Sequence, residues 1–140
     1  MIFVLDTNIL SEITNPRPEP LVLNWISGQA VKTLFTSAVT VHEIRYGLEL
    51  MPKGRRRQTL ELAMEKLLTD YFTGKVLSLD PKSARISGEI EASRKQIGHD
   101  PGMADCMIAG IAIANGATVV TRNVKHFATT GATVINPWGG

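Results

Sequence analysis

Short apolar runs alternate with longer stretches whose apolar residues recur every three or four positions, which predicts strands joined by helices. Ile2, Phe3, Val4 and Leu5 form a continuous apolar run closed by the polar turn Asp6, Thr7, Asn8, as expected of a central parallel strand buried on both faces. Residues 20–26 predict a short helix and 33–36 a second strand. Residues 40–50 read as a helix with apolar residues on more than one face, so it is expected to be buried. After the break at 52–54, a helix over about 56–71 presents Leu60, Ala63, Leu67 and Leu68 at helical spacing and leads to a strand at 76–79. Asp80 and Pro81 open the next helix, which runs to Ile97 with Ile86, Ile90 and Ile97 on one stripe and Gly98 as its C-terminal cap. Residues 103–114 are apolar all round and must be covered by protein, with Gly110 allowing close approach of a neighbour. Strands at 118–121 and 133–135 complete the pattern, while 15–20 reads as a loop and 53–57 as a mobile segment.

This rhythm is that of an α/β fold with a central, mainly parallel β-sheet flanked by α-helices, in one domain spanning residues 1–140. No internal repeat, low-complexity segment or linker interrupts it. At 140 residues, 44% hydrophobic and 20% charged, the chain suffices for one compact core and has no room for a second. The lone Cys106 excludes an intrachain disulfide and a cysteine-rich zinc site, favouring a reducing cytoplasmic setting and hard oxygen ligands. The N-terminus lacks a basic leader segment, and the apolar tract 103–120 is interrupted by Asp105, Asn115 and Gly116, short of the roughly 18 residues a membrane span needs. A soluble protein is expected, without membrane association.

A net charge of +2 and a pI near 8.9 permit a polyanionic partner without demanding one. Lys53, Arg55, Arg56 and Arg57 form one dense cluster, whereas Arg94, Lys95, Arg122 and Lys125 lie nearer in sequence to acidic or amide positions. The cluster is either a solvated helix face or a set of phosphate contacts, and its position relative to the acids decides between them.

Asp6, Glu43, Asp105 and Asn123 each stand where an apolar stretch ends or is interrupted. In a parallel α/β fold the ligand site lies beyond the carboxyl ends of the strands, which singles out Asp6 and Asn123. Asp6 has an ordinary reading as a helix cap, and Asp105 another as a carboxylate in the first turn of a helix, worth about 0.3–1 kcal/mol. Glu43 has helical neighbours Val39, Tyr46, Gly47 and Leu50, and Arg45, two residues on, points elsewhere. Three separate explanations would be needed for three acids in apolar surroundings. One oxygen-lined divalent-cation site accounts for them together, because buried carboxylates need a compensating positive charge.

The strings Leu5, Asp6, Thr7, Asn8, then Thr40, Val41, His42, Glu43, then Ala104, Asp105 and finally Thr121, Arg122, Asn123 resemble those of the PIN-domain ribonucleases. Within that family the chain is similar to VapC-type toxins of the FitB-like, plasmid-stability subgroup, down to Ser11 and Glu12 near the start and Asn136, Pro137, Trp138 near the end. The resemblance implies that Asp6, Glu43 and Asp105 bind Mg²⁺ or Mn²⁺. Asn123 stands at a fourth position where some members carry aspartate, so it is expected to orient water or substrate. Thr7, Asn8, Thr121 and Arg122 are implied to support the loops around the acids, and His42 and His126, the latter expected in a loop, fall outside the catalytic set.

The implied activity is endonucleolytic cleavage of RNA by metal-activated water, leaving a 3′-hydroxyl and a 5′-phosphate. Lys53, Arg55, Arg56 and Arg57 are candidate contacts to the RNA backbone. The resemblance also implies a small VapB-type antitoxin whose tail covers the acids, a homodimer assembling into a heterotetramer or larger, and DNA contact only through the antitoxin. Leu21, Leu23 and Trp25 could form a groove for an antitoxin helix, with core packing as the competing fate of each. A phosphotransferase with Asp6 as nucleophile would want a second acid where Asn8 stands, and a signalling receiver would leave Glu43 and Asp105 without a role.

Overall fold

The computed structural model describes residues 1–99 and 102–139. Its elements run β1 (Ile2–Leu5), α1 (Thr7–Ile13), α2 (Pro20–Ser27), β2 (Leu34–Ser37), α3 (Ala38–Leu50), α4 (Arg55–Phe72), β3 (Val76–Leu77), α5 (Pro81–Gln96), α6 (Met103–Ala114), β4 (Ala117–Val120), α7 (Val124–Phe127) and β5 (Val134–Ile135), with a short 3₁₀ turn before β2. The five strands form one sheet in the order β3-β2-β1-β4-β5, and every pairing is parallel. The α/β expectation is therefore met, with a wholly parallel sheet.

The apolar β1 run acquires its place from strand alternation. Phe3 and Leu5 face a core shared with Ile9, Leu10, Ile44, Leu48, Met64 and Leu67, while Val4 faces a second core with Cys106, Ile108, Ala109, Val119 and Phe127. Both faces of the sheet are thus covered by helices. Val4, Leu5, Ile9 and Leu10 are essentially fully buried, each contributing about 1.5–3 kcal/mol relative to exposure.

Helix starts follow local chemistry. Asp80 Oδ1 accepts from Ser83 N at 2.8 Å with Pro81 in the first turn, and Ser37 Oγ accepts from Thr40 N at 3.1 Å to open α3 directly after β2. Gly98 takes a φ of +82° beyond α5, as a C-terminal cap requires. Gly110 faces α5 so closely that a Cβ would lie 2.6 Å from Ser83 O, so the expected close approach is real.

Two expectations need correction. α3 is not buried all round: Thr40, Ile44 and Leu48 form its inner stripe, while Tyr46 and Leu50 are 62% and 68% exposed. The neighbouring helices do not reach the face that carries these two apolar residues. Residues 55–57 are not a loose segment but the first turn of α4. No helix among the described residues is long and apolar enough to cross a membrane.

Candidate metal centre

β1 lies between β2 and β4, and the connection leaving β1 runs to one side of the sheet while that leaving β4 runs to the other. The crevice at such a reversal is where α/β folds bind ligands. Asp6 follows β1 at this point: its N–H donates to Val120 O at 3.1 Å, and Thr36 Oγ1 on β2 donates to Leu5 O at 2.7 Å. The sheet thereby fixes the Asp6 backbone from both sides. Its carboxylate caps α1, accepting from Asn8 N at 3.0 Å and Ile9 N at 3.4 Å.

Asp6 is both a cap and part of a charged site. It is only 6% exposed, and burial pushes its carboxyl up to about 6. The Thr121 hydroxyl and the two N–H groups hold it down, and the charge of Glu43 pushes it up again. Glu43 sits on α3, where Thr7 Oγ1 donates to its Oε1 at 2.7 Å. Asp105 lies in the first turn of α6 and its carboxyl is also raised, by burial first and by Glu43, against the lowering influence of His126 and Arg94. Glu43 therefore acts electrostatically on both aspartates.

The three acids thus share one end of the sheet, yet each side chain has turned to a separate neighbour. Asp6 engages its own helix, Glu43 engages Thr7, and Asp105 Oδ2 lies 3.4 Å from His126 Nδ1. Among the described residues no three His, Cys, Asp or Glu side chains form a ready cage for an ion. The donor set nevertheless fits a hard divalent cation. It consists of carboxylate oxygens, those of Asp6 and Asp105 with their charged forms disfavoured by burial, and a cation would relieve that penalty.

The remaining residues build the rim. Asn8 Oδ1 accepts from Asn123 Nδ2 at 3.1 Å, and Asn123 N donates to Thr121 Oγ1 at 3.0 Å. Thr121, fully buried, thus ties the end of β4 to the start of α1 through these asparagines and through Asp6. Asn123 is exposed and engaged with Asn8. Arg122 stacks over the Trp138 ring at 5.3 Å, away from the acids' own hydrogen bonds.

His126 lies in α7 rather than in a loop, and it faces Asp105. Arg94 has no role that the sequence pattern predicts. It is 6% exposed, donates through Nη1 to His126 O at 2.9 Å, and leaves Nε without a partner among the described residues. Both contacts join residues more than twenty positions apart, and a spacing pattern has no signal for them. His42 is exposed, although it borders the same cavity of about 560 Å³ as Glu43 and Met103.

The basic cluster divides. Arg57 is a structural cation: its side chain is 13% exposed and pairs with Glu49 and Glu61, and Nη1 donates to Met51 O at 3.3 Å. These pairs give it a structural role beside its sequence reading as a candidate contact to the RNA backbone. Arg55 and Arg56 line a groove of about 720 Å³ between the end of α1 and α4, and Lys53 is exposed before it. The groove shares Ser11, Thr14 and Leu60 with a smaller cavity that reaches Glu43. Trp25 packs edge-on against Phe3 with centroids 5.0 Å apart, whereas Leu21 and Leu23 are exposed.

Residues 3–132 match the PIN domain family. Over 135 residues the chain is 43% identical to the plasmid stability protein StbB of Pseudomonas syringae pv. tomato, covering 96% of this chain and 97% of that one. It is 40% identical to the VapC ribonuclease Y4jK of Sinorhizobium fredii (96% of each) and 33% identical to the toxin FitB of Neisseria gonorrhoeae (96% and 97%). The solved structure of FitAB bound to an IR36 DNA fragment superposes with a TM-score of 0.89 at 32% identity, covering 99% of this chain and 97% of that one.

Proposed function

The chain belongs to the PIN-domain family, and we propose that it is a divalent-metal-dependent endoribonuclease, the toxin of a VapBC-type toxin–antitoxin module. The observation that carries the reading is the gathering of Asp6, Glu43 and Asp105 at one end of the sheet, where burial first and the charge of Glu43 after it raise the carboxyls of both aspartates. Two aspartates raised by burial, with a third acid adding to it at the carboxyl edge of a sheet, are a cost to the fold. Residues placed at such a cost point to a ligand that reverses it.

Asp6, Glu43 and Asp105 would hold Mg²⁺ or Mn²⁺. When bound, such an ion supplies positive charge for a scissile phosphate and makes water acidic enough to attack at neutral pH. The protein's part is orientation. Thr121 and the α1 N–H groups fix the Asp6 carboxylate, Thr7 steers Glu43, and His126, backed by Arg94, sets the position of Asp105. Asn123, tied to Asn8, closes the rim and orients water or substrate. The products carry a 3′-hydroxyl and a 5′-phosphate. A receiver or an aspartate nucleophile would leave the grouping of Glu43 with two aspartates without purpose.

The partner is a small antitoxin whose tail brings Arg or Lys to the acids. The groove between α1 and α4 leads to Glu43 and supports that route, and exposed Leu21 and Leu23 offer apolar contacts on α2. The toxin pairs as a homodimer in the cytoplasm, and DNA is contacted through the antitoxin.

The test is labelled RNA incubated with the purified chain in Mg²⁺, Mn²⁺ or EDTA, with end-group analysis of the fragments. Metal-dependent cleavage leaving 5′-phosphates is expected from the wild type and not from Asp105→Asn. Cleavage that persists in EDTA, or no cleavage of any RNA pool in either metal, would overturn the reading.

A further inference from the structure

Beside the acids, across His126, lies a cavity of about 350 Å³ lined by Arg122, Asn123, Val124, Lys125, His126 and Asn136. Among the described residues no carboxylate lines it. Among the described residues neither Arg122 nor Lys125 has a salt-bridge partner, whereas Arg45 and Arg57 are saturated by Glu49, Glu61 and Glu65. Arg45 and Arg57 are thus neutralised at the α3–α4 corner, whereas Arg122 and Lys125 share one cavity without such pairing.

The cavity is also held in shape. Arg122 Cζ lies 5.3 Å from the Trp138 ring centroid, and among the described residues no hydrogen bond takes up its N–H groups, which stay available as donors. Asn136 Oδ1 accepts from Trp138 N at 2.9 Å, which leaves its amide N–H group as a donor. From behind, the buried Arg94 grips His126 O at 2.9 Å, so the backbone of α7 is anchored. Converging donors with permanent positive charge and no counter-charge match an anion with several acceptor oxygens.

We propose that this cavity is a phosphate subsite, occupied by a phosphodiester next to the scissile one on a bound RNA strand, with Arg122 and Lys125 as its charged contacts. The proposal rests on the reading that the chain cleaves RNA. His126 connects the two sites: it faces Asp105 at 3.4 Å on one side and lines the cavity on the other. A strand seated here places its neighbouring phosphate at the acids. Such contacts fix the register of the strand without selecting bases.

The test is fluorescence anisotropy of a labelled single-stranded oligoribonucleotide with the full chain in EDTA, where cutting is suppressed, over a KCl series. Each phosphate contact on single-stranded nucleic acid contributes about −0.7 to the slope of log K against log salt. The Arg122→Gln, Lys125→Gln double variant should flatten the slope by about 1.4 and weaken binding about tenfold at low salt. Arg122→Lys with Lys125→Arg, which keeps both charges, should restore most of the slope, and it remains informative should loss of the Trp138 stack unfold the glutamine variant. Unchanged slope and affinity in a folded double variant overturn the subsite while leaving the nuclease reading intact. So does a variant that binds RNA like the wild type but loses affinity for an acidic peptide. A wild type that cleaves no RNA with Mg²⁺ or Mn²⁺ removes both.

Discussion

Two regions of this molecule are dense in charge, and they treat their carboxylates in opposite ways. At the corner between α3 and α4, Arg45 meets Glu61 at 3.1 Å and Glu65 at 3.2 Å, and Arg57 meets Glu61 at 3.3 Å. The Arg45 guanidinium holds the Glu61 carboxyl below its ordinary range, so the charged form is the comfortable one. At the carboxyl edge of the sheet, burial pushes Asp6 and Asp105 upward and Glu43 adds to it. Charge there is a burden on the fold. Carboxylates balanced by neighbouring cations differ in this way from carboxylates buried without one, a distinction that composition alone does not make.

The largest effect should come from removing one of the site acids. Asp6→Asn keeps a side chain able to cap α1, and Asp105→Asn keeps the shape of the first turn of α6. Cleavage of RNA should nonetheless fall by at least about a hundredfold, the scale of losing one preorganised electrostatic contact. Circular dichroism should show the fold retained. A variant that cuts at the wild-type rate would return Asp6 to a capping role alone.

Stability should move the other way. The Asp6 carboxyl titrates near 6 in the folded chain against 3.8 as its ordinary value. Between those pH values the folded state still holds a proton that the unfolded state has released, so stability falls as pH rises through the window. The full penalty stands above about 6 and amounts to roughly 3 kcal/mol. In EDTA at pH 7.5, Asp6→Asn should therefore melt several degrees above the wild type, and the difference should vanish near pH 4. Mn²⁺ should raise the wild-type Tm and leave that of the variant almost unmoved. A lower Tm for Asp6→Asn at pH 7.5 would mean that the carboxylate is already compensated.

Much of this site is legible in the amino-acid sequence, for reasons particular residues make clear. Asp6 is visible because a strand buried on both faces needs an unbroken apolar run, and the first polar residue after it marks the carboxyl edge. Asp105 and Glu43 stand out against apolar neighbours on their own helices. The sheet order and the helices α1 and α7 are less accessible. α1 hides in a polar turn that predicts only a cap, and α7, Val124–Phe127, is too short to show a period. The burial of α3 is overestimated because Tyr46 and Leu50 are apolar by type and exposed by position. Arg57 looks like one of four free cations because its partners come from α3 and from the next turn of α4. His126 and Arg94 depend on contacts between elements that only the folded chain brings together.

A smaller effect is expected at the rim. Asn123→Asp removes the Nδ2 donor that Asn8 Oδ1 now accepts at 3.1 Å and adds a fourth negative charge near the acids. If the edge of the sheet is built for a cation, the added charge should strengthen Mn²⁺ binding in calorimetric titration. Any loss of cleavage should stay below about a hundredfold, the upper end for a residue acting outside the ligand set. Weaker Mn²⁺ binding would show that the link to Asn8 matters more than the charge.

The smallest effect is expected at the other pole. Arg45→Gln strips the α3–α4 corner of its hub, leaving Glu61 to Arg57 and Glu65 to solvent. Exposed ion pairs gain little in high dielectric and are screened by salt, so Tm should hardly change and should change still less in concentrated KCl. Arg45 points away from its neighbour Glu43, since residues two apart on a helix face different ways, so the cleavage rate should match the wild type. A loss of activity as large as that of Asn123→Asp would mean that this corner communicates with the acids through α3. The division into a balanced surface and an unbalanced site would then have to be redrawn around that helix.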